Sequence, residues 1–527
     1  MSWLLLTVSV PTLLWAVLKL YQHVIRIHDL SDLPGPPVAS YIWGDIFNLK
    51  KAPAGTLWRE WTKKYGPTFI IHEGLMKPML ILGDAKGATH VLNNTSIYWK
   101  PEIDRSILSL WFGESMLSAE GQIHAERRRR LNPAFNSQSI KQIAPILFDL
   151  AFRLEANWTD RLGSAKSVVV DVSGALQGYA LDAVSMTMFA HCISTSEGPN
   201  SVKEMFKNLS EGPPSEDTIV NRLARVIVSM YPRLLAILPS PMKTWATTLR
   251  AELGKIATEV WDVGKLNEDV GGMDARILEV LSQQKKDGAK ISKDDAVAEI
   301  VGLLFVGSET VANVIGEFLH ELAHHPRIQQ TLRQEFVDFE AQHGFPPSFN
   351  DLMASGNERL KYLDAVMMES LRCKMPVMDV QRVPIVEDII PLSTPIPGRN
   401  GNFLRVQPGQ IISIPLRDGI NFDPRIWGED VEEFRPERWL EPGTSERGPG
   451  LGGLLTFGDG PKTCIGRGFA LAEFKIVVST LVRNFYIYPS EDEPDIDFYH
   501  LGSNAVKPKV RGKEKEGVKL PLRIQRV

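Results

Sequence analysis

A single cysteine of this chain lies in a segment suited to binding a metal through its thiolate. Cys464 belongs to the stretch 457–466, whose three glycines let the backbone turn tightly and approach a flat ligand closely. The next residues, 467–475, have a helical pattern, so the cysteine directly precedes a helix N-terminus. The helix dipole and the free amide groups at that position favour a negatively charged sulfur.

The remaining cysteines restrict what this sulfur can do. Cys192 and Cys373 lie far from Cys464 in the sequence, and the chain has three cysteines in all. Without a C-x-x-C pair, a disulfide framework and a structural zinc site are both disfavoured. A thiolate with no neighbouring Cys or His suits an iron ion whose other ligands come from a macrocycle. The alternative is a buried structural cysteine.

The sequence around Cys464 resembles the haem-binding loop of the cytochrome P450 family. That loop reads Phe-x-x-Gly-x-Arg-x-Cys-x-Gly and is followed by x-x-x-Ala-x-x-Glu. The residues that match it at the same spacing are Phe457, Gly460, Cys464, Gly466, Ala470 and Glu473. Lys462 departs from the pattern, because the family usually has Arg or His there as a contact to a haem propionate. Lysine keeps the charge but lacks the two-pronged guanidinium.

An upstream segment resembles the family's propionate-binding helix, whose pattern is Trp/His-x-x-x-Arg. His124 and Arg128 match it, and one helical turn separates them, so both can reach the same carboxylates. Four consecutive arginines cannot all point inward. Arg127, Arg129 and Arg130 are therefore expected to be solvated or to form a basic surface for an acidic electron donor.

Residues 306–310, Val-Gly-Ser-Glu-Thr, resemble the family's oxygen-binding segment, Ala/Gly-Gly-x-Asp/Glu-Thr. Val306 replaces the small residue that is usual there and is expected to narrow the pocket above the iron. Gly307 lies inside a predicted long helix, where glycine costs up to ~1 kcal/mol. It therefore indicates either a close approach to a ligand or a local bulge.

Glu369 and Arg372 share one face of another predicted helix, since residues three apart are neighbours there. The later segment 434–439 resembles the family's Pro-Glu-Arg segment. In the family, the arginine at the position of Arg438 completes a buried Glu-Arg-Arg network beneath the haem. We expect a structural role for these three residues, because removal of one leaves a naked buried charge.

The resemblance implies a haem-thiolate monooxygenase that carries haem b. The residues that it assigns to the haem are Cys464 as the axial iron ligand, with Phe457, Gly460, Gly466, Lys462, His124 and Arg128. Thr310 would hydrogen-bond dioxygen, and Glu309 would relay protons towards it. The G-x-G-x-x-G pattern at residues 448–453 lies in a turn-rich loop and not between a strand and a helix, so it does not indicate a nucleotide site. Electrons are therefore expected from a separate NADPH-cytochrome reductase.

The segments that form the family's substrate pocket are apolar in this chain, which predicts a lipophilic substrate. The overall sequence resembles fungal secondary-metabolism enzymes of this family, and a terpenoid is the expected substrate class. The residues predicted to line the pocket are Leu108, Trp111, Phe112, Phe305, Val306, Val377 and Met378. Two alternatives stay open: an oxygen-independent isomerase or dehydratase, and a haem-binding sensor without turnover. Glu309 and Thr310 disfavour the first, which needs no proton relay.

Residues 1–20 are predicted to form a transmembrane anchor. No charged side chain precedes Lys19, and the apolar stretch is near the lower limit for spanning a bilayer. A cleaved signal peptide is disfavoured, because no basic region precedes the stretch. Positive residues follow it, so the rest of the chain is expected in the cytosol, on the endoplasmic reticulum membrane. Residues 21–42 are predicted to be a flank with a proline-rich hinge.

Residues 43–527 are predicted to form one catalytic domain, mainly helical with a minor β component, and the resemblance implies the cytochrome P450 fold. The clearest helical segments are 140–158, 176–189, 296–325 and 357–373, and the clearest extended runs are 68–72, 79–82, 403–406 and 410–414. The net charge of -4 and the pI of about 6.3 give no sign of a nucleic-acid binder.

Overall fold

The computed structural model describes residues 30, 32–189, 218–237, 240–268, 281, 291–354, 359–450, 452–500 and 506–527. The predicted anchor, most of the predicted flank up to residue 29, and Cys192 lie outside the described residues.

Helices dominate the described part, as the sequence predicts. They are α1 (Ile46–Lys51), α2 (Thr56–Tyr65), α3 (Ala85–Asn93), α4 (Glu102–Phe112), α5 (Gly121–Leu131), α6 (Ser137–Leu162), α7 (Val172–Phe189), α8 (Ile219–Met230), α9 (Leu234–Ile237), α10 (Pro241–Glu268), α11 (Lys293–His324), α12 (Pro326–His343), α13 (Phe349–Met353), α14 (Lys361–Cys373), α15 (Pro424–Trp427) and α16 (Arg467–Asn484). Each of the four helical segments predicted above contributes to one of them.

The strands are short and form small sheets. They are β1 (Thr68–His72), β2 (Pro78–Leu82), β3 (Tyr98–Trp99), β4 (Ser167–Asp171), β5 (Asp379–Pro384), β6 (Asp388–Pro391), β7 (Phe403–Val406), β8 (Ile411–Pro415), β9 (Phe485–Pro489), β10 (Ile496–His500), β11 (Val506–Val510) and β12 (Pro521–Arg526). The largest sheet has the order β1-β2-β8-β5-β3, and the others are β4-β12-β9, β6-β7 and β10-β11. Only β2 and β8 pair in parallel among these described strands.

Helix α11 runs through the centre of the largest hydrophobic core. The Ser292 side chain caps it by accepting a hydrogen bond from the Asp295 amide, and the helix ends at His324, before Pro326. By length and composition it is the one helix of the described residues that could cross a membrane, yet 83% of its apolar window is buried inside the protein. It is therefore a core helix.

Gly307 brings helices α7 and α11 close together. A Cβ atom at this position would lie 2.7 Å from Cγ2 of Val184 on α7. Helix α11 continues through Gly307 without a bulge. The expectation of a local bulge is therefore wrong, and the close approach of α7 leaves little room for a side chain at this position. The other alternative, a close approach to a ligand, stays a prediction.

Glu369, Arg372 and Arg438 meet as a fully buried cluster. The Glu369 carboxylate accepts hydrogen bonds from Arg372 Nε at 2.9 Å and from Arg438 Nε at 3.1 Å, and all three side chains are 0% exposed. Arg372 also donates to the main-chain oxygens of Asn421 and Val431. The cluster thus joins α14 to the irregular segment that leads to the cysteine loop.

Glu369→Gln should strongly destabilise the holoprotein, because it removes the buried counter-charge of Arg372 and leaves Arg438 with Asp430 alone. Loss of one partner from a buried ion pair costs roughly 3–5 kcal/mol. Thermal denaturation of the variant checks this, with Glu432→Gln as the control, since the Glu432 side chain is 70% exposed. Equal midpoints for the two variants would contradict the proposed role of the cluster.

Candidate active site

The cysteine loop is closed by its own backbone. The Cys464 amide donates a hydrogen bond of 2.7 Å to the carbonyl oxygen of Phe457. Gly458 and Gly460 have φ values of +72° and +66°, which favour glycine. A Cβ at Gly460 would lie 2.8 Å from the carbonyl oxygen of Leu92, so this glycine lets the loop pass the end of α3.

The Cys464 side chain is exposed to a cavity at the start of α16, whose N-cap is Gly466. Burial of the surrounding loop raises the pKa of its thiol, while a hydrogen bond from the Gly466 backbone and the charges of Arg128 and Arg467 oppose that rise. These last contacts favour the thiolate, which is the form that binds a metal.

The cavity next to Cys464 has a volume of about 260 Å³. One wall is formed by the cysteine loop and α16, with Phe457, Cys464, Ala470, Leu471 and Phe474. Other parts of the lining come from α11, with Thr310, Val311 and Val314, and from the chain after α14, with Pro376, Val377 and Val380. The structure therefore brings Cys464 and Thr310, which are distant in sequence, into one apolar slot.

Thr310 and Glu309 lie in different surroundings although they are neighbours in the chain. The Thr310 hydroxyl lines the cavity and donates a hydrogen bond of 2.8 Å to the carbonyl oxygen of Val306. The Glu309 side chain is buried and contacts Lys507 Nζ on β11 at 2.5 Å. Sequence reasoning missed Lys507, because an isolated lysine in a short strand gives no signal of a partner so far away in the chain.

Val377 is the one residue predicted to line the substrate pocket that lines this cavity within the described part of the chain. Five of the others pack into the core that includes α4, α10 and α11 instead, namely Leu108, Trp111, Phe112, Phe305 and Val306, and Met378 is buried elsewhere. The Phe112 and Phe305 rings lie 4.9 Å apart, and Trp111 packs against Trp245 at 5.5 Å. These apolar side chains bury each other, which moves them away from the cavity surface.

A group of cations surrounds one end of the slot. Its members are Lys100, Arg105, Arg128, Arg382 and Lys462. A second cavity, of about 200 Å³, adjoins this end and is lined by His124, Arg128 and Lys462. Sequence reasoning found Arg128, Lys462 and His124, and missed the other cations because they lie on separate elements that only the fold brings together.

The charges in this group are only partly compensated by acids. Glu120 pairs with Lys462 and, at 3.1 Å, with Lys100. Burial and neighbouring positive charges nevertheless lower the pKa of Lys100 and of Lys462 to about 7. Burial lowers the pKa of Arg382 to about 10. A bound anion would relieve this repulsion.

His124 is neutral at physiological pH. Burial lowers its pKa to about 4, and the charges of Lys100, Arg128 and Arg382 add to the effect. The ring can therefore donate or accept one hydrogen bond at the second cavity but contributes no charge. Trp99 Nε1, which belongs to β3, is a buried donor without a hydrogen-bond partner in the part of the chain that the structure describes.

These residues fit a haem. Cys464 would supply a thiolate for the iron, the apolar walls would suit the flat ring, and the cations would suit two propionate carboxylates. Lys462 lies at the junction of both cavities, with its charge already shared by Glu120. The substitution of lysine for the family's usual arginine or histidine thus comes with an acidic neighbour.

The expectation that Arg127 is solvated is wrong. Its guanidinium donates to Glu299 and to Asp295 on α11, each at 2.7 Å, and its side chain is 16% exposed. Arg127 therefore fastens α5 to α11. Arg130 pairs with Glu126 along α5, and Arg129 is exposed as expected.

Arg382→Gln should weaken haem retention, because it removes one cation from the group that would bind the propionates. A hydrogen bond to a charged group contributes about 1.5–3 kcal/mol, so haem loss should be faster by about tenfold or more. Transfer of haem to apomyoglobin measures this rate. Arg405→Gln is the control, because the Arg405 side chain is 59% exposed; equal rates for both variants would contradict the assignment.

Comparison with known proteins agrees with this geometry. The family model "Cytochrome P450" matches residues 34–513. The monooxygenase claW of Ampulloclitocybe clavipes is 32% identical over 97% of this chain and 96% of its own. Cytochrome P450 monooxygenase 128 of Postia placenta is 29% identical over 97% and 96% of the two chains. Ganoderic acid synthetase of Ganoderma lucidum is 26% identical over 89% of each. The chain belongs to the cytochrome P450 family and is an oxidoreductase of the monooxygenase type.

Proposed function

We propose that this protein inserts one atom of dioxygen into a lipophilic small molecule, such as a terpenoid or another secondary metabolite. The observation that carries the proposal is the slot with Cys464 on one wall, Thr310 on α11 and cations at one end. The names of the relatives support monooxygenation over an oxygen-independent reaction or a sensor without turnover.

Each wall of the slot has its own task. When bound, haem b supplies the chemistry of oxygen activation. Cys464 holds the iron, and its amide bond to Phe457 fixes the loop. The Thr310 hydroxyl keeps an oxygen atom towards the cavity, where it can accept or donate a hydrogen bond. Glu309 is next to Thr310 in the chain, and its carboxylate is proposed to relay protons towards the Thr310 hydroxyl.

The apolar lining of the slot supports a lipophilic class of substrate. Val311, Val314, Val377 and Val380 present only hydrocarbon, and such surfaces favour apolar ligands. The relative named ganoderic acid synthetase is consistent with a biosynthetic role. Product analysis of cells that express this chain with a reductase tests the class; an exclusively polar, water-soluble product would contradict it.

Electrons are proposed to come from a membrane-bound NADPH-cytochrome reductase. The G-x-G-x-x-G pattern of the chain, at residues 448–453, lies among turns and is not directly followed by a helix, so it lacks the strand–turn–helix context of a nucleotide site. Arg129 is exposed and, like Lys462, lines the second cavity. Its positive charge is proposed to attract an acidic electron donor. NADPH consumption that does not depend on added reductase would contradict this partner.

A membrane location is supported by an exposed apolar surface. Its residues are Ile219, Val220, Leu223 and Ile227 on α8, together with Tyr41 and Ile42 after the hinge. A Cβ at Gly74 would lie 2.7 Å from Val226 and 3.2 Å from the carbonyl oxygen of Ile42, so α8 lies beside that segment. Apolar patches of this kind favour contact with lipid. A glycan on Asn157 would contradict the proposed cytosolic orientation.

Cys464→Ala should abolish the thiolate-type absorption band of the reduced carbon monoxide complex, because the iron loses its sulfur ligand. Cys373→Ala is the matched control, since Cys373 is buried in α14 and burial raises its pKa to about 12. The control should keep the band. Survival of the band in Cys464→Ala would remove the proposed ligand.

Thr310→Ala should lower the product formed per NADPH consumed by roughly tenfold, because a positioned proton donor contributes 10²–10⁴-fold and water replaces it in part. Thr310→Ser keeps the hydroxyl and should retain most of the coupling. Turnover with reductase, NADPH and oxygen measures product, peroxide and NADPH together. Equal coupling in Thr310→Ala and the wild type would exclude the hydroxyl from proton delivery.

A further inference from the structure

Helix α11 carries a row of polar side chains on one of its faces. Glu309, Asn313, Glu317 and Glu321 recur at every fourth position, which places them above one another on a helix. Glu309, Asn313 and Glu317 are 1%, 5% and 4% exposed, although the rest of this part of α11 is mostly apolar. We call these four residues the polar row. It extends about 18 Å along the helix axis.

Two members of the polar row have atoms without a protein partner. Within the described residues, Asn313 Nδ2 and Glu317 Oε1 are buried and accept or donate no hydrogen bond. Buried polar atoms in proteins are satisfied by protein groups or by ordered water. Because both atoms lie on the same face of one helix, they favour a continuous file of water between Glu309 and Glu317.

Lys507 links the two buried carboxyl groups. Its Nζ contacts Glu309 Oε1 at 2.5 Å, and the side chains are 1% and 2% exposed. The Lys507 charge also acts on Glu317, where it opposes the rise in the pKa of that carboxyl group. The lysine is thus within electrostatic reach of both ends of the proposed water file.

The far end of the polar row approaches the solvent. Glu321 is 17% exposed and contacts Lys374 at 2.5 Å. His325 Nδ1 lies 3.4 Å from the other Glu321 oxygen, and its side chain is 40% exposed. A proton can therefore enter at Glu321 and His325, while Glu309, at the other end of the row, is shielded from bulk solvent.

Glu317 has the proton affinity that an intermediate station needs. Burial raises the pKa of its carboxyl group to about 7, and Glu321 adds to the rise. Lys374, Arg417 and Lys507, which face it from three other elements, oppose the rise. At cytosolic pH both the protonated and the ionised forms of Glu317 are consequently populated.

We propose that the polar row delivers protons from the solvent to the oxygen-binding side of the slot, with Glu317 as the relay and Lys507 as the positioning residue for Glu309. The inference rests on the proposed monooxygenase function and assigns residues to its proton supply. Protons from bulk water enter at Glu321 and His325 and reach Glu317. The Glu317 carboxyl group passes its proton through water to the Glu309 carboxylate, next to Thr310.

The transfers along the polar row move protons only. Each transfer breaks one O–H bond and forms another, and no residue of the row is oxidised or reduced. The two protons taken up in a turnover leave in the water that monooxygenation releases, while the electrons come from the reductase. Glu317 regains its proton from the solvent end before the next transfer.

Glu317→Gln tests the relay. The variant should bind haem normally, lower the product per NADPH by about tenfold, and show a larger solvent deuterium isotope effect than the wild type. Glu299→Gln is the matched control, because Glu299 is another buried carboxylate of α11 but pairs with Arg127 away from the polar row. Its coupling and isotope effect should equal those of the wild type.

The pH dependence gives a second readout. Because the protonated form of Glu317 donates, product formation by the wild type should fall as the pH rises through about 7. Glu317→Gln should lack this inflection. Infrared spectra of the resting enzyme should show a protonated-carboxyl band that titrates in the same range and is missing from Glu317→Gln, which is a measurement independent of turnover.

Lys507 is tested by a pair of variants. Lys507→Met should uncouple NADPH use from product formation and shift the carboxyl band, whereas Lys507→Arg keeps the charge and should restore most of the coupling. A purely structural lysine would give equal coupling in both variants at equal thermal stability, which would overturn its positioning role.

The proton relay and the monooxygenase function would be contradicted by different measurements. Wild-type coupling and an unchanged isotope effect in Glu317→Gln would overturn the relay and leave monooxygenation intact. NADPH use by the wild type that is independent of Cys464, or that yields no oxygenated product from lipophilic substrates, would instead overturn the proposed function.

Discussion

The buried carboxylate of Glu369 holds together the charged cluster that supports the cysteine loop. It binds Arg372 and Arg438, so that one negative charge and two positive charges lie wholly out of water. Such a cluster holds only if every charge keeps its partners. Immediately before the loop, the Thr456 hydroxyl donates to the carbonyl oxygen of Leu371 on the same helix, at 2.6 Å. The position of the Cys464 sulfur is thereby fixed relative to α14 rather than to the protein surface.

The two ends of the slot handle buried charge in opposite ways. Near Lys462 and Arg382, positive charges lie close together. Burial lowers the pKa of both groups, and for Lys462 the charges of Lys100 and Arg105 add to the effect, so that a dianionic ligand would stabilise the charged forms. Along α11, carboxyl groups are buried instead, and Glu309 is balanced by Lys507. The first arrangement favours retention of a cofactor, whereas the second lets a carboxyl group change its protonation state without moving the backbone.

Local patterns were enough to predict four of the longer helices, four of the strands and the loop around Cys464, since caps, periodicity and motif spacing are properties of adjacent residues. Contacts between distant segments could not be predicted this way. The partnership of Glu309 with Lys507, the arrival of Arg382 at the slot, and the helix contact at Gly307 all arise from packing that brings separate elements together. Apart from Val377, the residues assigned to the substrate pocket do not line the slot next to Cys464, and their contact with a substrate stays a prediction.

The apolar face of α8 has a practical consequence for preparing the protein. Ile219 and Val220 are 67% and 68% exposed, and they belong to the catalytic part of the chain rather than to residues 1–20. Deleting the N-terminal segment therefore leaves a hydrocarbon surface in contact with water, and such surfaces drive self-association. A shortened protein should need detergent or lipid nanodiscs throughout purification, unless charged residues replace Ile219 and Val220.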